Sequence, residues 1–212
     1  MTVRAVVFDV GETLVDETRI WSDWADWLGI PRLTFLGALG GTIARGEHHL
    51  NVFELFRPGV DPRAELRLRA EAGRLDDIGP EDLYPDVRPT LDALTQAGFR
   101  LGIAGNQPAR AGAAIEALAL PVELVGISAV WGLSKPDPAF FVRIADELAL
   151  PSGQIAYVGD RLDNDIVPAA AAGMRPIWIR RGPWAWIQGG RSEPPEAMAV
   201  VDSLAELPGL LG

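Results

Sequence analysis

A chain of 212 residues without cysteine cannot use disulfides, thiolate nucleophiles or cysteine-ligated metals, yet it is long enough to bury a substantial core. Its 29 acidic against 19 basic residues leave a net charge of −10, which argues against non-specific binding to nucleic acid or an anionic membrane. No basic segment leads into a long apolar stretch at the N-terminus, and no uncharged run approaches a membrane span, so a soluble cytoplasmic protein is expected.

The chain opens on a buried-strand pattern over residues 5–8 that ends abruptly in Asp9, with Gly11 and Thr13 just beyond. In open α/β sheets ligands gather past the carboxyl ends of the strands. Asp9 is therefore placed either as a nucleophile or metal ligand, or as a carboxylate tied to the backbone of a turn. From 17 to 83 no buried strand is evident, and helices are expected over 20–28, 33–45, 49–56 and 62–74. Trp21, Trp24 and Trp27 fall near one face of the first, a packing pattern. His48 and His49, being adjacent, project differently and make a poor metal pair. The glycines at Gly37, Gly40 and Gly41 follow a helix and lack dinucleotide-loop spacing. From Tyr84 strands and helices alternate: helices over 86–97, 108–119, 138–148 and 163–172, and strands over 99–104, 124–128, 155–158 and 175–180. The tail around Trp184 and Trp186 reads as loop, followed by a short strand at 199–201 and a helix at 203–207. This alternation predicts a doubly wound parallel sheet with right-handed crossovers, split by an all-helical insert.

Three strand ends carry features suited to an anion or a metal. Asp9 follows the first strand, Gly105-Asn106-Gln107-Pro108 leads from the second into a helix, and Gly159-Asp160 through Asp165 follows a later strand. Between them stands Lys135, the only lysine among 19 basic residues, at the mouth of a helix in Ser134-Lys135-Pro136-Asp137-Pro138. A lysine offers a compact point charge where an arginine offers a planar fork, so the choice suits a tight anionic site. Several carboxylates on neighbouring strand ends are hard oxygen donors fitted to Mg²⁺, and the whole adds up to a phosphoryl pocket.

In this order the motifs resemble those of the haloacid dehalogenase superfamily of phosphatases and related hydrolases. Phe8-Asp9 through Leu14 is similar to its nucleophile motif, Ser134 to Pro138 to its lysine motif, and Gly159 to Asp165 to its metal motif. The resemblance implies a Rossmann-like core over 1–16 and 84–212 with a helical cap over 17–83. It also implies an aspartyl-phosphate formed on Asp9, and Mg²⁺ held by Asp9, the Gly11 carbonyl, Asp160 and Asp165. Lys135 would pair with Asp9 and the phosphate, Gly105 and Asn106 would line the phosphate site, and Asp163 and Asn164 would cap or support. The substrate would be a small phosphorylated metabolite, and the protein a monomer or homodimer.

Two positions depart from that pattern. Phosphatases of the family carry an acid–base Asp two residues after the nucleophile, where this chain has Gly11. Glu12 is the nearest carboxyl, but an adjacent position points elsewhere. The second motif ordinarily ends in Ser or Thr, where this chain has Gly105. The expectation is a Mg²⁺-dependent phosphohydrolase, slow or restricted to good leaving groups. The alternative is a catalytically impaired phosphate-binding or regulatory protein, with a 2-haloacid dehalogenase further behind. A phosphonate hydrolase with a cap Schiff-base lysine fails, because the insert has no Lys.

Overall fold

The computed structural model describes residues 2–74, 77–189 and 194–212, and these divide into two compact units, Met1–Asp16 with Ile78–Gly212, and Glu17–Asp77. The boundary falls earlier than the 83/84 expected. Asp16 N–H donates to the Asp82 carbonyl and Tyr84 N–H to that of Leu14, so residues 78–83 are tied into the first unit.

The first unit is built on six parallel strands: β1 (Ala5–Phe8), β2 (Arg100–Gly105), β3 (Leu124–Ile127), β4 (Ile155–Gly159), β5 (Arg175–Ile179) and β6 (Ala199–Val201), in the order β3-β2-β1-β4-β5-β6. β1 is central, with Phe8 paired in register to Ile103 on one side and Val158 on the other. Because side chains alternate along a strand, Val6 and Phe8 enter one apolar layer with Leu91, Leu94 and Leu101. Ala5 and Val7 enter the opposite one with Phe140, Ile144 and Tyr157. Helices supply both layers: α5 (Val87–Gln96), α6 (Ala111–Ala117) and α11 (Leu207–Leu211) on the first side, α8 (Pro138–Leu148) and α9 (Val167–Ala171) on the second. A sheet buried on both faces explains why β1 reads as an unbroken apolar run.

The second unit holds α1 (Thr18–Leu28), α2 (Arg32–Ala44), α3 (Val52–Phe56) and α4 (Pro62–Glu71). Its core is aromatic. Trp24 meets Phe53 edge-on at 4.8 Å between centroids, and Phe35 stacks on Phe56 at 5.7 Å. Trp27 is tied differently, its indole N–H donating to Glu65 at 2.8 Å. His48 and His49 do not project apart as expected, since their rings stack at 4.4 Å.

Three local expectations are corrected. The helix expected from 108 begins only at Ala111, because residues 108–111 first close a turn in which Ala111 N–H donates to the Pro108 carbonyl. The helix expected over 163–172 opens as a widened π turn, Leu162–Ile166, before α9. Asp165 and Ile166 N–H both donate to the Arg161 carbonyl there, and Pro168 has no N–H to give. The tail read as loop contains a helix, α10 (Gly182–Gln188), while residues 190–193 lie outside the described ones. Gly182 takes a left-handed φ of 69°, Pro183 occupies the first turn, and Trp184 and Ala185 are buried. A short helix, α7 (Ser128–Trp131), was also not expected. Among the described residues no helix is long and apolar enough to cross a membrane.

Tyr157 and Phe140 separate two contributions to the core. Tyr157 is fully buried and donates to the Ala104 carbonyl at 2.8 Å, so Tyr157→Phe is expected to destabilise by about 1 kcal/mol. Phe140→Ala, which empties a fully buried ring site, is expected to cost about 3–5 kcal/mol in urea unfolding.

Candidate active site

In the strand order β3-β2-β1-β4-β5-β6 the chain winds one way from β1 through β3 and the other way from β4 outward, so the topology reverses between β1 and β4. At such a switch point the loops beyond the strand ends splay apart and leave a crevice. Asp9 is the first residue after β1 and Asp160 the first after β4. Their adjacency follows from the register, Phe8 lying opposite Val158 and Asp9 N–H donating to the Val158 carbonyl at 2.9 Å. Lys135 arrives from the segment before α8, whose start is fixed by Pro138 in the first turn and by Asp137 accepting from Ala139 N–H.

The lysine ties the cluster together. Its Nζ lies 2.7 Å from Asp9 Oδ1 and 2.6 Å from Asp165 Oδ1, and the lysine is only 4% exposed. Burial works against the ammonium, but the Asp165 and Asp9 carboxylates outweigh it and push the Lys135 pKa up. Asp165 is held on its other side by Arg161 N–H, which donates to Oδ2 at 3.0 Å. Burial, countered by Lys135 and reinforced by Asp9, pushes the Asp165 carboxyl up to about 6. Asp160 differs from both. It is 1% exposed, and neither carboxylate oxygen has a hydrogen-bond partner among the described residues. Burial first, then the charges of Asp165, Asp9 and Glu12, drives its pKa well above the ordinary carboxyl range.

One ligand oxygen from each of Asp9, Asp160 and Asp165 lies within 4.8 Å of the others. Three buried carboxylates facing a single ammonium leave an excess of negative charge, and the two bare oxygens of Asp160 lack a partner. A small hard dication answers both needs, and all-oxygen donors of this kind suit Mg²⁺.

Glycines let these groups approach. A Cβ on Gly159 would stand 2.5 Å from the Asp165 side chain, and one on Gly105 would stand 2.7 Å from Asp9 Oδ1. The position that resembles a Ser or Thr site thus has no room for a side chain while Asp9 keeps this rotamer. Asn106 also departs from expectation. Its Oδ1 accepts from Lys135 N–H at 2.8 Å and its Nδ2 donates to the Lys135 carbonyl at 2.9 Å. The amide is engaged in holding the Lys135 backbone, so its first role is to place the lysine.

Glu12 is drawn inward rather than away. It takes a left-handed φ of 53°, is 6% exposed, and accepts from Tyr84 Oη at 2.6 Å. Asp163 pairs with Arg161 at 2.8 Å and accepts from Gln188 Nε2 at 2.9 Å. Sequence reasoning missed Trp178, Arg181 and Gln188. Trp178 donates its indole N–H to the Asp160 carbonyl at 2.8 Å. The Gly182-Pro183 pair was the available signal, since a left-handed glycine followed by proline starts a helix as readily as it continues a loop.

Comparison with known proteins gives the family and the fold. A family model described as haloacid dehalogenase-like hydrolase matches residues 3–173. A glyceraldehyde 3-phosphate phosphatase from Methanopyrus kandleri is 36% identical over 151 residues, 65% of this chain and 61% of that protein, so the match spans about three fifths of that relative. A phosphoglycolate phosphatase from Rhodospirillum rubrum is 32% identical, covering 99% of this chain and 91% of the other. Among solved structures, an L-2-haloacid dehalogenase shares the fold with a TM-score of 0.72 at 19% identity, over 100% of this chain and 99% of that one.

The unpartnered Asp160 gives a test that needs no substrate. With metal withheld by chelator, and at a pH high enough to ionise the buried Asp160, Asp160→Asn removes an uncompensated charge and is expected to stabilise by about 1–3 kcal/mol. Because the folded pKa is raised, the native protein takes up a proton at Asp160 as pH falls toward the ordinary Asp value, and the wild type regains that stability. The gap in melting temperature between the two proteins should therefore shrink on acidification. A variant less stable than the wild type even at that high pH would show that Asp160 is already compensated.

Proposed function

The chain belongs to the haloacid dehalogenase-like hydrolases, and within that family we propose that it is a Mg²⁺-dependent phosphohydrolase whose nucleophile is Asp9. The observation that carries the reading is the buried cluster of Asp9, Asp160 and Asp165 around Lys135. Asp9, Asp160, Asp165 and the Gly11 carbonyl would hold the cation, whose chemistry is to neutralise phosphoryl charge and orient the transferring group. The helical unit Glu17–Asp77 is read as the family's cap.

The chain's own groups account for the rest. Lys135 holds Asp9 Oδ1 in place and offers its charge to the phosphoryl oxygens. The other Asp9 oxygen, which has no hydrogen bond among the described residues, attacks phosphorus as the bond to the leaving oxygen breaks. The product is an aspartyl-phosphate and an alkoxide that must gain a proton. Water then attacks phosphorus, the bond to Asp9 breaks, and inorganic phosphate leaves with the carboxylate restored, the proton that water sheds and the one the alkoxide takes up being exchanged with solvent. In the usual enzymes a second Asp serves both proton transfers, and its place here is Gly11. Glu12 is bound to Tyr84 Oη. Leaving groups that need little protonation, such as acyl or aryl phosphates, therefore suit this site best. Relatives named for glyceraldehyde 3-phosphate and phosphoglycolate support a small phosphorylated metabolite as substrate.

Gly11 also favours the second reading, a protein that keeps the phosphate and metal site but turns over little. Against a 2-haloacid dehalogenase, which needs no cation, stands the intact acidic run Asp160 to Asp165.

A panel of phosphate esters assayed with and without Mg²⁺ distinguishes these readings. Slow, Mg²⁺-dependent release of phosphate is expected from the wild type, fastest with acyl and aryl phosphates. Gly11→Asp should raise kcat for alkyl phosphates by about 10²–10⁴-fold; no gain would mean the site is not assembled for phosphoryl transfer. Asp9→Asn should abolish turnover, and residual Mg²⁺-dependent activity would remove Asp9 as the nucleophile.

A further inference from the structure

The segment from Arg181 through α10 reaches both loops that carry the carboxylates. At its start, Arg181 Nη1 donates to the Thr13 carbonyl of the nucleophile turn at 3.1 Å. The same guanidinium pairs with Asp86 and lies 4.2 Å over the Tyr84 ring, whose hydroxyl donates to Glu12 at 2.6 Å. Asp86 is itself fixed by Ser203 Oγ at 2.6 Å and Leu204 N–H at 2.9 Å. Gly182 packs so closely on this turn that a Cβ would lie 2.5 Å from the Glu12 side chain.

At the other end, Gln188 Oε1 accepts from Leu162 N–H at 3.1 Å and its Nε2 donates to Asp163 Oδ1 at 2.9 Å. Within α10, Trp184 lies 5.4 Å under the Arg161 guanidinium, and Arg161 is the residue whose N–H holds Asp165. One short segment is thus hydrogen-bonded to the turn after β1 and to the loop after β4. The strands fix where those loops begin, Asp9 N–H to the Val158 carbonyl extends the ladder by one residue, and Lys135 joins Asp9 to Asp165 at the cluster itself; the segment 181–188 adds a link farther out, where the loops have left the sheet.

We propose that residues 181–188 form a brace that sets the spacing between Asp9 and the Asp160–Asp165 pair, with Arg181 and Gln188 as positioning residues at its two ends. Neither side chain touches the carboxylates, so each acts through the loop it holds. The inference rests on the metal reading of the carboxylate cluster. Mg²⁺ demands short bonds in near-ideal octahedral geometry, so carboxylates supplied from two loops bind it well only if the loops cannot drift apart. Groups that orient ligands from outside typically change metal affinity by about 10–100-fold.

The test is calorimetric titration of MgCl₂ into chelator-treated wild type, Arg181→Lys, Gln188→Leu and the double variant, with Asp160→Asn as the blank. Arg181→Lys keeps a cation beside Asp86 but cannot also span to the Thr13 carbonyl. Gln188→Glu, which keeps the shape and the acceptor for Leu162 N–H, serves if the leucine variant does not fold by circular dichroism. Each single change should weaken Mg²⁺ binding about tenfold. The double variant should fall well short of the hundredfold product, because breaking either end already releases the brace. Effects that multiply would reveal two separate local contacts and overturn the brace, as would single variants with wild-type affinity. Wild type that binds Mg²⁺ no better than Asp160→Asn would overturn the metal reading itself, and this inference with it.

Discussion

The structure depends on how one ammonium group manages three carboxylates. Lys135 is buried between Asp9 and Asp165, and its charge lets those two carboxylates stand close together in a site largely withdrawn from water. Much of the surrounding architecture serves that arrangement. The strand order brings β1 and β4 side by side, Asn106 clasps the lysine backbone through both ends of its amide, and Gly105 and Gly159 leave room for the carboxylates. The lysine nevertheless neutralises only part of the charge. Asp160 remains, buried and without a hydrogen-bond partner among the described residues.

The acid–base question has a structural answer as well as a sequence one. Gly11 lacks a carboxyl, and the one beside it is already engaged: Glu12 is turned by its left-handed backbone onto Tyr84. Tyr84 is in turn covered by the Arg181 guanidinium. A carboxylate held this way is fixed in the wall of the site, where it adds to the negative potential felt by Asp160. The departure at Gly11 is therefore confined to one residue, while Asp9, Lys135, Asp160 and Asp165 still meet around it.

The parallel sheet, the split by a helical unit, and the meeting of Asp9, Lys135, Asp160 and Asp165 were legible in the sequence because each has a local signature. Apolar runs ending in Asp mark strand tips, and a lone lysine in an arginine-rich chain marks a point-charge site. What could not be read was contact between segments far apart in the chain. Gln188 and Asp163 are 25 residues apart, and Arg181 and Thr13 are 168 apart, so no periodicity connects them. The same limit explains Asn106, whose partner lies 29 residues away. Helix α10 escaped for another reason: its Gly-Pro start, Trp content and seven-residue length suit a turn as well as a helix.

The solitary lysine has a consequence outside the reaction. With its one side-chain amine 4% exposed and sealed by two carboxylates, the chain offers amine-acylating reagents no exposed lysine on the folded surface. Covalent labelling of that amine requires the salt bridges to part, so its rate counts openings of the site. The atom at the centre of the pocket is thereby a built-in chemical clock for the breathing of the fold.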